Sequence, residues 1–167
     1  CSHAVWTTGE GFNRVPNDNQ SPSAWGEIPV ESAMSFEEAY GLLPPRLRRQ
    51  GIRVIISDLF WPGDPLPTLR KLTEDAAAVH VVQLLAQSDV EPPDPGNVEL
   101  IDHETGETLS LYIDASMQQK YSKTLERLQQ SWHDAARQTG AQLVTLVAEQ
   151  IDNSLHRLEE INALEPA

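Results

Sequence analysis

Cysteine is almost absent from this chain: Cys1 is the only one in 167 residues. No intrachain disulfide can form, and the composition fits a reducing, cytoplasmic compartment. Positive charge is also scarce. Twelve Lys and Arg stand against 25 Asp and Glu, a formal net charge of −13. That balance excludes nucleic acid, or an anionic membrane surface, as a partner bound through bulk electrostatics. No apolar run approaches the ~20 residues that a membrane-spanning helix needs, so no membrane insertion is expected from this segment. No signal peptide is visible. The chain opens on Cys1 without an initiator Met and turns β-rich at once, so it is read as the later part of a longer protein.

Several chemistries have no motif to carry them. There is no G-x-S-x-G nucleophile elbow and no G-x-x-x-x-G-K phosphate loop. None of the histidines (His3, His80, His103, His133, His156) pairs with another His or Cys at zinc-type spacing. His80 sits in an apolar run and is expected to be a packed, hydrogen-bonded core residue.

What is present is enough apolar material, 40% of residues, for a globular fold. The length suits one compact domain spanning 1–167. "HAVWTT" (3–8) reads as a strand. Residues 9–29, rich in Gly, Pro and small polar residues, read as a long loop. "SFEEAYGLL" (35–43) reads as a helix capped by Ser35, with Glu37 and Glu38 in its first turn. "PRLRRQG" (45–51) reads as a short helical turn. "IRVIIS" (52–57) is a β-branched run of the kind found in strands buried on both faces.

Asp64 followed by Pro65 signals a helix start, continued by the stripe Leu66, Leu69, Leu72 and Ala76. "AVHVVQLLA" (78–86) is a second buried strand. "NVELIDHETGETLSLYID" (97–114) alternates on both sides of Glu104-Thr105-Gly106, a hairpin signal with Gly106 suited to positive φ. "SMQQ" (116–119) fits a capping box. The spacing of Met117, Tyr121, Leu125, Leu128, Trp132 and Ala136 then predicts an amphipathic helix ending at Gly140. "AQLVTLVA" (141–148) is another strand, and Ile151, Leu155, Leu158 and Ile161 form a last helical stripe.

The order is that of an α/β protein with a mostly parallel sheet at 3–8, 52–57, 79–85 and 141–147, helices on both faces, and the hairpin at or beyond an edge. Ligands of such sheets sit outside the carboxyl ends of the strands. Asp58, the pair Ser88-Asp89 and the stretch after Ala148 lie there.

Three stretches carry a family resemblance over about residues 30–148: "LRRQGIRVIISDLF"; "VELIDHETGETLSLYIDASMQQKY", with Asp102, Glu104, Thr105, Gly106 and Glu107 in a D-x-E-T-G-E pattern; and the helix to Gly140 with the strand after it. Together they resemble the later part of the bacterial domain-of-unknown-function 58 (DUF58) family. The resemblance implies a von Willebrand factor A-like (Rossmann-like) fold and association with MoxR-type AAA+ ATPases. It also implies a divalent-cation site, Mg²⁺ or Ca²⁺, at the carboxyl edge of the sheet. Asp58 matches one ligand, and Ser35 or Ser32 stands where a Thr is expected. The remaining D-x-S-x-S is absent from these residues, and the strand bearing it would precede Cys1. The site is therefore expected to be incomplete or degenerate, with no cofactor held by this segment alone.

Two function classes follow. One is a non-enzymatic interaction domain, with Asp58, Phe60, Trp61 and Asp89 facing a protein partner such as a MoxR-type ATPase. The alternative is a metal-dependent hydrolase using the acids of the carboxyl edge. Acids gather there without a base or nucleophile beside them, which favours the interaction domain. Asp58 itself is expected to be buried, accepting from two backbone N–H groups of the turn, with Trp61 as the contact residue.

Overall fold

A computed structural model describes residues 3–25, 28, 34–61, 63–101 and 108–163. The chain divides into two compact units, Cys1–Leu47 and Arg48–Ala167.

In the first unit, β1 (Trp6–Gly9) pairs antiparallel with β2 (Gly11–Arg14) in a two-stranded sheet of their own. This corrects two expectations. Residues 3–8 do not join the parallel sheet, and the segment 9–29 is not all loop. Glu10, between two glycines, turns the chain, and Gly11 takes φ +91°, open to glycine but strained for other residues. The Phe12 N–H donates to the Leu43 carbonyl at 2.9 Å. Helix α1 (Phe36–Leu42) starts at the expected cap, and Ser35 and Glu38 close a reciprocal capping box. Phe12, Phe36 and Tyr40 form the unit's aromatic core, with ring centroids 5.2 Å apart for Phe12–Phe36 and 5.6 Å for Phe36–Tyr40. The predicted helical turn at 45–51 does not form: residues 44–48 have no regular structure, and the chain turns at Arg49 and Gln50, where Gln50 takes φ +55° and leaves helical geometry.

The second unit is α/β. Its elements are β3 (Ile52–Ser57), α2 (Pro65–Thr73), β4 (Ala78–Leu85), α3 (Gln87–Val90), β5 (Gly96–Ile101), β6 (Thr108–Ile113), α4 (Ala115–Thr139), β7 (Gln142–Val147), α5 (Ile151–Ser154) and α6 (Arg157–Glu160). Strands β3, β4 and β7 form a parallel sheet in that order, with β4 central, and β5 and β6 form a separate antiparallel hairpin. The hairpin tip, residues 102–107, with the expected turn glycine Gly106 and the acids Asp102, Glu104 and Glu107, lies outside the described residues, as does Ser32.

Helix ends follow local chemistry. Asp64 Oδ1 accepts from the Leu66 N–H at 2.9 Å with Pro65 opening α2. Helix α4 is capped by Asp114, whose Oδ1 accepts from the Met117 N–H at 2.8 Å, so the predicted capping box at Ser116 gives way to an acid two residues earlier. Gly140 ends α4 at φ +75°. The predicted single C-terminal helix is instead two short turns, α5 and α6. The Ser154 hydroxyl donates back to the Gln150 carbonyl at 2.8 Å, a local bond that competes with continuous helix.

The two faces of the parallel sheet differ. Register places Val54, His80 and Gln142 on one face, with Ile52, Ile56, Val82, Val144 and Leu146. There Val82, Val144 and Leu146 pack with Ile161 and Leu158 from the C-terminal turns. On the other face Arg53 donates to the Leu72 carbonyl at 2.6 Å, closing the end of α2, and Gln83 meets Gln129 of α4. Helical segments thus cover both faces at β4 and β7.

Strand β3 departs from the expectation of burial on both faces: Ile52, Val54 and Ile56 are 70%, 57% and 67% exposed. Among the described residues no strand pairs with its other side, and the C-terminal turns pack on the neighbouring strands β4 and β7. His80 is buried as expected, but its Nδ1 has no hydrogen-bond partner among the described residues. No helix among the described residues is long and apolar enough to cross a membrane.

Candidate functional site at the carboxyl edge

The parallel strands β3, β4 and β7 all point their carboxyl ends to one edge, where three turns meet. The first, after β3, is built around a side-chain ladder. The Ser57 hydroxyl accepts from the Leu59 N–H at 3.1 Å, and Asp58 Oδ1 accepts from the Phe60 N–H at 3.1 Å. These are local turns of the kind short polar side chains favour. They swing Leu59 into the left-handed region, φ +61°, and drive its side chain into full burial.

The turn is held from beneath by two residues that the sequence reading missed. Gln83 Nε2 donates to the Asp58 carbonyl at 2.9 Å, while its Oε1 accepts from the Thr145 hydroxyl at 2.9 Å. The indole N–H of Trp132 donates to the Leu59 carbonyl at 3.2 Å. Gln83 did leave a signal, a lone amide in the otherwise apolar end of "AVHVVQLL". Trp132 left none beyond its place in an apolar stripe.

The expected contact residues separate on this scaffold. Asp58 is exposed, not buried, and accepts from one backbone N–H instead of two. Phe60 is 40% exposed. Trp61 is half-buried and packs edge-on against Trp132, with centroids 5.2 Å apart at 74°. Asp89 lies in the turn after β4, where its Oδ2 accepts from the Ala86 N–H at 2.8 Å and its carbonyl accepts from the Tyr121 hydroxyl at 2.7 Å. Burial first, and the Asp89 charge second, push the Tyr121 phenol above its ordinary pKa.

The turn after β7 is tied to the turn after β4. Glu149 Oε2 accepts from the Gln87 N–H at 2.8 Å, and Gln150 Nε2 donates to Gln87 Oε1 at 2.9 Å. Ser35 belongs to the other compact unit, where its hydroxyl donates to Glu38 Oε2 at 2.8 Å. Among the described residues no group of three or more His, Cys, Asp or Glu is placed to hold a metal ion. The acids of this edge serve mainly to order neighbouring backbone.

Comparison with known proteins agrees with the resemblance read from the motifs. A family model described as "Protein of unknown function DUF58" matches residues 24–131. The chain is similar to an uncharacterized protein, MAV169, of Mycobacterium avium, at 37% identity over 102 residues, covering 59% of this chain and 58% of that protein. The chain thus spans little more than half the length of that relative. No solved structure matches.

Proposed function

The chain belongs to the DUF58 family of proteins of unknown function, and from that premise we propose that it is a non-enzymatic protein-interaction module whose contact surface is the turn after β3. The observation that supports this reading is the pairing of an exposed acid and an exposed aromatic, Asp58 and Phe60, on a turn braced by Gln83 and Trp132. A rigid turn presenting an aromatic beside a charge loses little conformational entropy on docking, the usual condition for a binding hot spot. The half-buried Trp61 supports the turn from one side, so Phe60 carries more of the contact than the sequence alone would assign.

The partner class is a MoxR-type AAA+ ATPase, and the compartment cytoplasmic. In this reading Asp58 stays an exposed recognition group. The segment binds Mg²⁺ or Ca²⁺ weakly at most, because a carboxylate and a hydroxyl are too few oxygens for a hard cation.

Biolayer interferometry against a purified MoxR-type ATPase tests the reading. Phe60→Ser and Asp58→Asn are each expected to weaken binding by about tenfold or more, the scale of a hot-spot residue, with the melting temperature unchanged. Binding that survives both substitutions places the contact elsewhere. Calorimetry showing tight, stoichiometric Mg²⁺ or Ca²⁺ uptake abolished by Asp58→Ala favours the cation-dependent alternative.

A further inference from the structure

The β5–β6 hairpin has two unlike faces. Register sets Val98 opposite Leu111 and Leu100 opposite Leu109, which makes one face apolar. The intervening pairs are Asn97 with Tyr112 and Glu99 with Ser110, so these four side chains share the other face. All four are exposed, Tyr112 to 66%. Among the described residues none of the four side chains is engaged in a hydrogen bond or an ion pair. An open aromatic ring thus stands beside an unpaired carboxylate, an amide and a hydroxyl.

That set is selective in what it can hold. The face of the Tyr112 ring attracts a cation. An ionised Glu99 accepts only, and the Asn97 carbonyl and Ser110 hydroxyl can accept as well. A neutral or anionic ligand would leave the carboxylate unmatched. Glu99 and Tyr112 are diagonal neighbours across the two strands, a spacing of about 7–8 Å. A planar guanidinium fits it, stacked on the ring with its donor edge toward the carboxylate. An ammonium is a point charge without that plane, and serves the ring and the acid less well together. Charge along the chain points the same way. Between Lys71 and Lys120 there are ten Asp and Glu and no Lys or Arg. No neighbour in sequence neutralises Glu99, and the local field draws cations toward the hairpin.

We propose that this face of the β5–β6 hairpin binds an arginine side chain of a polypeptide partner. The guanidinium stacks on Tyr112 and pairs with Glu99, and Asn97 and Ser110 accept from its remaining N–H groups. Both strands of the site belong to one hairpin, so the set is complete without any further strand. The site lies on different elements from the turn carrying Phe60, and it stands or falls independently of the proposed partner contact.

Titration of the 167-residue chain with the end-blocked tripeptide Gly-Arg-Gly, followed by nuclear magnetic resonance, tests this directly. The expected result is saturable shifts at the Tyr112 ring and the Glu99 side chain, weaker at raised salt. The tripeptide Gly-Lys-Gly should bind more weakly. Glu99→Gln removes the charge and Tyr112→Leu removes the ring; each should weaken the arginine peptide by about threefold or more, the scale of an exposed ion pair or cation–π contact. Tyr112→Phe keeps the ring and should bind like the parent, as should Phe60→Ser. Cross-strand backbone contacts of the hairpin should be unchanged in all four variants. Shifts that grow without saturating, equal binding of the two peptides, or a Glu99→Gln protein that binds as before each overturns the proposal. So does a loss of binding in Phe60→Ser, which would place the arginine at the turn after β3.

Discussion

The indole N–H of Trp132 reaches across 73 residues of sequence to donate to the carbonyl oxygen of Leu59 at 3.2 Å. Leu59 is a non-glycine residue at φ +61° with its side chain fully buried. A branched residue in that region costs about 1–2 kcal/mol of backbone strain. Burying the leucine offsets the cost, and the indole satisfies a carbonyl that the turn would otherwise bury unpaired. Trp132→Phe keeps much of the ring surface and removes the donor. It should lower stability by about 2 kcal/mol, read as a lower urea midpoint at unchanged slope. An unchanged midpoint would mean that the bond is replaced by water at no cost.

Gln83 is a harder test of the same scaffold. It is 1% exposed, and one amide serves the Asp58 carbonyl in the turn after β3 and the Thr145 hydroxyl on β7. Gln83→Leu keeps the approximate shape and strands both partners inside the protein. Each such group costs about 1–3 kcal/mol, so a loss of about 3 kcal/mol is expected from chemical denaturation. A leucine variant as stable as the parent would show that these partners find other bonds.

These two residues also mark where the sequence stopped being legible. The strands β3, β4 and β7 and the long helix α4 were readable because β-branched runs and a three-and-four periodicity are local signals. The caps Ser35, Asp64 and Gly140 were readable for the same reason. The strand β2 was hidden by the Gly, Asn and Pro around it. The exposure of β3 was not readable, since the same apolar run serves a central strand or an edge. At the candidate site, Asp58 and its neighbours could be placed at the right edge of the sheet. What holds them, an amide from β4 and an indole from α4, depends on long-range pairing that no local pattern encodes. Position at the strand end also suggested a buried Asp58, whereas the structure buries Leu59 and leaves the acid outside.

Gly11 and Gly140 separate two reasons for glycine. Both sit at positive φ, +91° and +75°. A Cβ on Gly140 would meet nothing within 4 Å, whereas one on Gly11 would lie 2.6 Å from Leu43 Cβ. Gly140→Ala should therefore cost about 1 kcal/mol, the conformational penalty alone. Gly11→Ala adds a clash with the residue whose carbonyl accepts from Phe12, and should cost about 2–3 kcal/mol. Equal losses in the two variants, measured by thermal or urea unfolding, would show that Leu43 moves aside freely.

Asp18 contributes pH dependence to the first unit. Its Oδ2 accepts from Arg14 Nε at 2.8 Å and from the Val5 N–H at 2.9 Å, and the residue is 3% exposed. The bond from the Arg14 side chain, then that from the Val5 backbone, hold its carboxyl below the ordinary carboxylate range. A group whose pKa is lower folded than unfolded binds fewer protons in the folded state, so stability rises with pH across that interval. The contribution of Asp18 is therefore fully present above its unfolded pKa of about 3.9. It is lost as pH falls from there through the depressed folded value. Asp18→Asn, compared with the parent by thermal melts, should be less stable by a constant margin from neutral pH down to about pH 5, with the margin closing as pH drops below the unfolded pKa. Arg14→Met should show the same closing margin, since it removes the charge that holds the carboxyl low. A margin that stays constant through acid pH in both variants would show that Asp18 acts through packing and not through its charge.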